Sequence, residues 1–281
     1  MNVFSIGLTE AQELESMFDR ESFGNIEKEG FYTLGVLDEE DFVAGVLQFS
    51  VHHGTDSKIS AEIEYIFVPE DFRGSGAGTA LVNEYISILK ASGITEGYIE
   101  LPKELEDELS GFFSSFGFFF DYKSLPVYEI TVDTLVGNKA LQKFSADGCR
   151  SISYLDDGSF ADLLRQTGCN LTSDEKTGFD EEVSCYYDEE GKSGLFLADK
   201  RGTALQAAFL GCDNGEHDKK LLELLAYATG KASQMYEGGT KVRIVCRESF
   251  TKNLMEKLFP GIKPLKVVPG ILQVTHLKRN S

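Results

Sequence analysis

The chain has 281 residues, of which 42% are hydrophobic, and this is enough to build a core in each of two domains. The formal net charge is -19; residues 1–145 contain 9 Lys/Arg against 26 Asp/Glu, whereas the remainder contains 18 against 20. An acidic first half repels nucleic-acid phosphates and anionic lipid, so neither nucleic acid nor membrane is an expected partner. The same charge attracts a cationic partner such as a protonated amine, or only keeps the protein soluble.

The cysteines and the amino-terminal residues indicate the cellular compartment that the sequence predicts. The five cysteines are odd in number, include no CxxC pair and are predicted to be buried thiols: Cys149, Cys169, Cys185, Cys212 and Cys246. The segment Met1–Ile6 lacks a basic region followed by an apolar run, and no stretch reaches the roughly 18 apolar residues of a membrane helix. A cytoplasmic protein is expected.

Hydrophobic periodicity predicts strands alternating with helices in the first half. The predicted strands are Val3–Leu8, Phe31–Leu37, Phe42–Val51, Ala61–Val68, Gly97–Leu101 and Val127–Val132. The predicted helices are Glu10–Asp19, which follows the N-cap candidate Thr9, then Thr79–Ser92 and Asp107–Ser115.

The second half has the same predicted order of elements. Its strands are Arg150–Leu155, Val183–Asp188, Gly194–Ala198, Ala204–Gly211, Lys241–Cys246, Ile262–Val268 and Ile271–His276, and its helices are Ser159–Gln166, Lys219–Met235 and Phe250–Leu258. A repeated order in two mixed α/β units favours duplication over coincidence. We therefore predict an α/β (α+β) protein with domains at residues 1–137 and 147–281, each a mixed, mostly antiparallel sheet flanked by helices.

A glycine-rich segment joins the strand Ala61–Val68 to the following helix. It reads Arg73-Gly74-Ser75-Gly76-Ala77-Gly78-Thr79. Glycines let backbone N–H groups converge on a phosphate, the helix N-terminus adds positive potential, and Arg73 adds a formal charge. The spacing fits neither a Rossmann fingerprint nor a nucleoside-triphosphate loop, so a different phosphate-bearing ligand is expected.

At these residues the chain resembles the GNAT superfamily of N-acetyltransferases, whose motif is Arg/Gln-x-x-Gly-x-Gly/Ala. The resemblance covers residues 3–133 and includes Ser115-Phe116-Gly117-Phe118, which is similar to the family's Gly-Phe pair. It implies that acetyl-CoA is the co-substrate. The cofactor-binding residues implied are Phe67 and Val68 for the pantetheine arm and Arg73, Gly74, Ser75, Gly76, Ala77, Gly78 and Thr79 for the pyrophosphate. The Val68 N–H would face the thioester carbonyl.

Two glutamates on the same strand are the candidate catalytic bases. Glu62 and Glu64 are two residues apart and project to one face, and the resemblance implies a base at the Glu62 position. Alternating glutamates are also typical of any half-exposed strand. The tyrosine that relatives use as an acid falls on Phe113, which has no proton to donate, so the acid is open among Tyr122, Ser114 and solvent.

Other polar residues are assigned structural roles. His52 and His53 are adjacent at a strand end, where neighbours point to opposite faces, and they are predicted to be surface residues, with no metal site. In the second half, Cys212–Asp218 replaces the glycine loop with one glycine and three acids. Such a loop repels pyrophosphate at the helix terminus, so this domain is predicted to bind no coenzyme.

The function predicted from these features is transfer of acetyl from acetyl-CoA to a primary amine by direct attack in a ternary complex. The acidic first half favours a cationic acceptor, either a small molecule or a peptide amine. The alternative is a catalytically weak acyl-CoA sensor or scaffold, and a third reading is that neither domain binds coenzyme. Since the second domain is predicted to bind no coenzyme, it is expected to cover part of the acceptor cleft of the first domain or to form a homodimer surface.

Overall fold

A computed structural model of the chain describes its residues in eight ranges. They are residues 1–53, 59–120, 124–169, 176–189, 192–201, 204–213, 218–246 and 249–274. These residues divide into two compact units, of which the first comprises 1–53, 59–120, 124 and 267–274 and the second comprises the described part of 125–266. Across these ranges, no helix is both long and apolar enough to cross a membrane.

The first unit alternates strands and helices along the chain. Its strands are β1 Asn2–Ser5, β2 Phe31–Leu37, β3 Val43–His53, β4 Ile59–Phe67, β5 Glu96–Pro102, β6 Phe119–Phe120 and, from late in the chain, most of β13 Leu265–Gln273. Its helices are α1 Leu8–Glu13, α2 Arg20–Gly24, α3 Ala77–Ala91 and α4 Glu106–Ser114.

The sheet of the first unit has the order β1-β2-β3-β4-β5-β13, and β6 also pairs with β13. All neighbours are antiparallel except β4 and β5, which are parallel. Helix α3 turns Leu81, Val82 and Tyr85 toward the sheet, where each is fully buried. This apolar stripe fixes the first turn of α3 beside the end of β4.

The second unit contains the remaining elements. Its strands are β7 Leu125–Thr131, β8 Arg150–Ser151, β9 Cys185–Glu189, β10 Lys192–Arg201, β11 Ala204–Cys212 and β12 Lys241–Val245, and its helices are α5 Val132–Val136, α6 Asp157–Gln166, α7 Asp218–Met235 and α8 Ser249–Leu258. The sheet order is β7-β12-β11-β10-β9-β8, with β11 and β12 parallel. The predicted mixed, mostly antiparallel sheet with flanking helices is confirmed.

The division into units differs from the predicted boundaries at residues 137 and 147. Strand β7 pairs with the whole length of β12 in the second unit, from Val127–Val245 to Thr131–Lys241. Strand β13 pairs with β5 of the first unit, from Val267–Pro102 to Gln273–Glu96. The reason is that a strand joins the sheet edge that its side chains fit, and the buried Val268 and Leu272 belong to the core of the first unit.

Several predicted elements are corrected by the structure. The predicted helix Glu10–Asp19 ends at Glu13 and is followed by a separate helical turn, Glu15–Met17. Asp19 instead caps α2, because its side chain accepts a hydrogen bond from the Ser22 N–H at 2.7 Å. The helix start predicted at Thr79 lies two residues earlier, at Ala77. The two strands predicted at the carboxy-terminal end are the single strand β13, although part of Ile271–His276 lies outside the described residues.

The predicted strand Arg150–Leu155 is also wrong beyond its first two residues. Ile152–Tyr154 forms a helical turn, because the Ser151 hydroxyl accepts a hydrogen bond from the Ser153 N–H and closes the chain on itself. Of the predicted buried thiols, Cys212 is half-buried and the other four are buried.

Candidate functional site

The two parallel strands of the first unit separate near the middle of β4. Their pairing runs from Ser60–Glu96 to Ile63–Ile99, and beyond Ile63 the residues of these fully described strands pair only on the β3 side of β4. Phe67 ends β4 opposite Val46, and Val68 lies just past it. The β5-facing edge of β4 therefore presents backbone groups that an extended ligand can pair with.

The glycine-rich segment lies directly beyond this opening. Gly74 and Gly76 have positive φ angles of 79° and 94°, and a Cβ atom added to either would meet no described heavy atom within 4 Å. Gly76 is the N-cap of α3, so the N–H groups of Ala77, Gly78 and Thr79 form the first turn, where a helix offers no internal acceptor. Exposed glycine backbone at a helix N-terminus is a site for an anion.

Arg73 connects this segment to the end of β4. Its Nε donates a hydrogen bond to the carbonyl of Val68 at 3.4 Å, and its side chain is exposed. The first turn of α3 packs closely here, since a Cβ atom on Gly78 would lie 3.3 Å from Phe112 Cζ and 3.8 Å from Val68 Cγ2. These contacts join the end of β4, Arg73 and the first turn of α3, and the nine residues predicted to hold the coenzyme lie along this one stretch of the chain.

A β-bulge places the two candidate bases beside the opening. Ile63 is opposite Phe49 but Tyr65 is opposite Gln48, so Glu64 is the extra residue of β4. Glu62, opposite Ser50, is only 5% exposed, whereas Glu64 is exposed. The Ser50 hydroxyl donates a hydrogen bond of 2.5 Å to Glu64 Oε1. The bulge keeps both carboxylates on the face of β4 that contains Ser50.

His52 contradicts its prediction as a surface residue. Its side chain is 10% exposed, and its Nε2 lies 2.8 Å from Ser50 Oγ and 3.8 Å from Glu62 Oε2. Donor atoms of His52, Glu62 and Glu64 all lie within 4.8 Å of one another. Sequence reasoning missed this cluster because it depends on the cross-strand register of β3 and β4; the alternation of Ser50 and His52 on one face was its only signal.

Tyr85 lies beneath the carboxylates. Its hydroxyl is fully buried and donates a hydrogen bond of 2.9 Å to the carbonyl of Ala61. Burial, and secondarily the negative charge of Glu62, raise the pKa of Tyr85 far above its usual value. Tyr85 therefore keeps its proton at physiological pH and supports β4 rather than titrating.

A core residue, Phe113, stands at the position where the resemblance implies a proton-donating tyrosine. Phe113 is 0% exposed and makes edge-to-face contacts with Phe112 and Phe118, at ring-centroid distances of 5.0 and 5.6 Å. Ser114 is exposed at the end of α4, and Tyr122 lies outside the described residues. The glycine-poor loop predicted at Cys212–Asp218 is described only at its ends, with α7 beginning at Asp218.

Comparisons with known proteins match the first unit to one protein family and match nearly the whole chain to solved structures of similar fold. Residues 3–118 match the model of the acetyltransferase (GNAT) family. A GCN5-related N-acetyltransferase from Sphaerobacter thermophilus superposes with a TM-score of 0.56 at 16% identity, covering 97% of this chain and 95% of that one. No curated protein sequence matches the chain.

A second solved structure is a GCN5-related glucosamine N-acetyltransferase region of a fungal multi-domain GH3 beta-N-acetylglucosaminidase. Its TM-score is 0.59 at 12% identity, covering 96% of this chain and 38% of that one. The present chain therefore spans well under half of that protein. Identities this low show a shared fold alone.

Proposed function

We propose that the first unit, whose residues 3–118 match the model of the acetyltransferase (GNAT) family, transfers an acetyl group from acetyl-CoA to a primary amine. The observation that supports this most is the continuous path from the separated edges of β4 and β5 to the glycine segment. A pantetheine arm fits the first part, and a pyrophosphate fits the N–H groups of the second.

The proposed reaction is direct attack by the neutral amine on the thioester carbonyl. Acetyl-CoA supplies an activated acyl group. The C–N bond forms, the C–S bond breaks, the amine proton passes to Glu62, and the departing thiolate takes a proton from solvent. The N–H of Val68 stabilises the developing oxyanion. Glu62 suits the role of base because its carboxylate lies at the opening, on the same strand that ends just before Val68.

The acceptor that we propose is a cationic amine. The carboxylates of Glu62 and Glu64 lie together at the opening, and the surrounding half of the chain is strongly acidic. Such a field concentrates a protonated amine near the base that deprotonates it. A small polyamine-like or aminoglycoside-like compound, or the amine of a peptide, has this chemistry.

Coenzyme binding is tested by thermal unfolding at rising acetyl-CoA concentration. At about a hundred times the dissociation constant, wild type is expected to gain about 2.7 kcal/mol. Gly76→Asp is expected to gain nothing, because aspartate at a φ of 94° is strained and its charge repels pyrophosphate. The matched control is Gly93→Asp, which has a φ of 70° and open surroundings at the other end of α3. It should respond like wild type, and an absent response in wild type would contradict the proposal.

A second candidate function is an acyl-CoA sensor or scaffold, and the observation that favours it is Phe113 in the core at the expected donor position. A panel of cationic and neutral amines distinguishes the two. Acetylation of any amine, with loss in Glu62→Gln, supports the enzyme. Tight coenzyme binding with no product from the whole panel supports the sensor.

A further inference from the structure

One imidazole and two carboxylates meet on one face of β3 and β4. His52 Nε2 and Glu62 Oε2 are 3.8 Å apart, and donor atoms of His52, Glu62 and Glu64 lie within 4.8 Å of one another. His52 and Glu62 are nearly buried, whereas Glu64 is exposed. The cluster is therefore fixed on one side and open to water on the other.

The chemistry of this set matches that of a transition-metal site. Imidazole nitrogen with carboxylate oxygen suits Zn²⁺ and its neighbours, whereas Mg²⁺ and Ca²⁺ prefer oxygen ligands alone. Two carboxylates this close repel each other when both are ionised, and a cation between them removes that repulsion. An imidazole and two carboxylates leave a fourth tetrahedral position for water, on the exposed side of Glu64.

We propose that His52, Glu62 and Glu64 bind one divalent transition-metal ion, with Zn²⁺ as the representative. The Ser50 hydroxyl now lies between two of the ligands, 2.8 Å from His52 Nε2 and 2.5 Å from Glu64 Oε1. Metal–ligand bonds of about 2.0–2.2 Å require the three groups to close slightly on the ion. The exposed Glu64 side chain supplies that movement, and the ion replaces the Ser50 hydroxyl as the partner of both groups.

Binding at this place blocks any other use of the two carboxylates. A metal ion held by Glu62 and Glu64 prevents Glu62 from accepting a proton, so Zn²⁺ inhibits acetyl transfer in competition with the acceptor amine. This consequence rests on the proposed function, but metal binding itself does not. The two are measured separately, by titration without coenzyme and by rate.

The experiment is calorimetric titration of the full chain with Zn²⁺, in a Cys212→Ser background that removes the half-buried thiol. One ion per chain is expected. Removing a ligand in His52→Ala or Glu64→Gln is expected to weaken binding by roughly tenfold or more. The matched control is His53→Ala, which removes an imidazole one residue further along β3 and is expected to leave the affinity unchanged.

Two further measurements distinguish loss of this site from misfolding of a variant and from binding of the ion elsewhere on the chain. Glu64→Gln changes an exposed residue and keeps the fold, so its weakened binding supports the site even if His52→Ala unfolds. Co²⁺ in the wild-type chain should show d–d absorption without a thiolate charge-transfer band. Equal affinity in the Cys212→Ser chain with and without His52→Ala or Glu64→Gln would overturn the proposal, as would a thiolate band, equal binding of Mg²⁺ or no stoichiometric binding.

Discussion

The connection that follows the parallel strand pair distinguishes the two units. In both units the parallel strands pair for a few residues and then separate, after Ile63–Ile99 in the first and after Ala207–Ile244 in the second. In the first unit a glycine segment and Arg73 follow the opening; in the second, β11 ends at Cys212 and α7 begins at the acidic Asp218. Both units thus have the opening, whereas the glycine segment, which the proposed function assigns to phosphate, is in the connection of the first unit.

The opening of the second unit contains a cavity of about 340 Å³. Its apolar walls include Ala207, Leu210, Leu221, Ile244 and Phe250. A cavity of this size is at the lower limit of small-molecule sites. Space beside separated strands therefore does not by itself predict a coenzyme site, because the proposed function also requires the pyrophosphate donors of the glycine segment.

The largest expected difference between the units is in coenzyme stoichiometry. Calorimetric titration with acetyl-CoA is expected to give one site per chain, and Gly76→Asp should leave none. Two sites of similar affinity would break the comparison, because the acidic loop of the second unit would then bind pyrophosphate. If Gly76→Asp still bound one acetyl-CoA, the site would not be the glycine segment of the first unit.

Removing the candidate base should have the next largest effect. Glu62→Gln is expected to lower the rate of acetyl transfer by about 10²–10⁴-fold and to leave acetyl-CoA affinity unchanged, because it removes the proton acceptor and little volume. The control is Glu223→Gln, which changes another nearly buried glutamate, 8% exposed, in the second unit. Steady-state rates with a saturating amine give the result; equal rates in the two variants would reject Glu62 as the base.

Restoring a hydroxyl at the family's donor position should lower stability without improving the rate. Phe113 has no exposed surface and is held by Phe112 and Phe118, so Phe113→Tyr is expected to cost about 1–3 kcal/mol in the free energy of unfolding. Urea unfolding measures the loss of stability, and initial rates of acetyl transfer test whether the added hydroxyl improves catalysis. A rate increase without loss of stability would show that position 113 reaches the reacting atoms.

A smaller contrast separates two buried tyrosines, one in each unit. Tyr85 donates to the Ala61 carbonyl, so Tyr85→Phe is expected to cost about 1 kcal/mol. The Tyr187 hydroxyl is buried and has no hydrogen-bond partner among the described residues, so Tyr187→Phe should cost under about 0.5 kcal/mol. Unfolding in urea at neutral pH compares them, and equal costs would contradict this reading of the two environments.

The same two tyrosines predict a pH dependence. Burial raises the pKa of both in the folded chain, whereas the unfolded chain ionises near 10. Above that pH the unfolded state binds fewer protons than the folded state, so stability is full below pH 10 and falls as the pH rises further. Urea midpoints measured across this range should fall less steeply in Tyr85→Phe than in wild type.

Local features were predictable from the sequence. Strand β2 has the predicted bounds Phe31–Leu37, and α7 and α8 lie within one residue of theirs, because hydrophobic periodicity and polar boundaries are local signals. The glycine segment was recognised for the same reason. Its chemistry depends on residues that are consecutive in the chain.

Features that depend on distant residues were not predictable. The burial of His52 follows from its cross-strand neighbours on β4, and the bulge at Glu64 follows from a register shift that no local pattern contains. The predicted strand beginning at Arg150 became a turn through one serine side chain. The assignments of β7 and β13 depend on which sheet edge each strand fits, and hydrophobic alternation alone does not distinguish between edges.

The pairing of β5 with β13 has a consequence for biosynthesis. The paired residues Ile99 and Gly270 are about 170 positions apart, and at the ~5–20 residues per second of a ribosome β13 appears about 10–30 s after β5. During that interval the nascent first unit has an unpaired strand edge, which is a template for association with other chains. Chaperone binding to the growing polypeptide is therefore expected to be strongest between the emergence of these two strands.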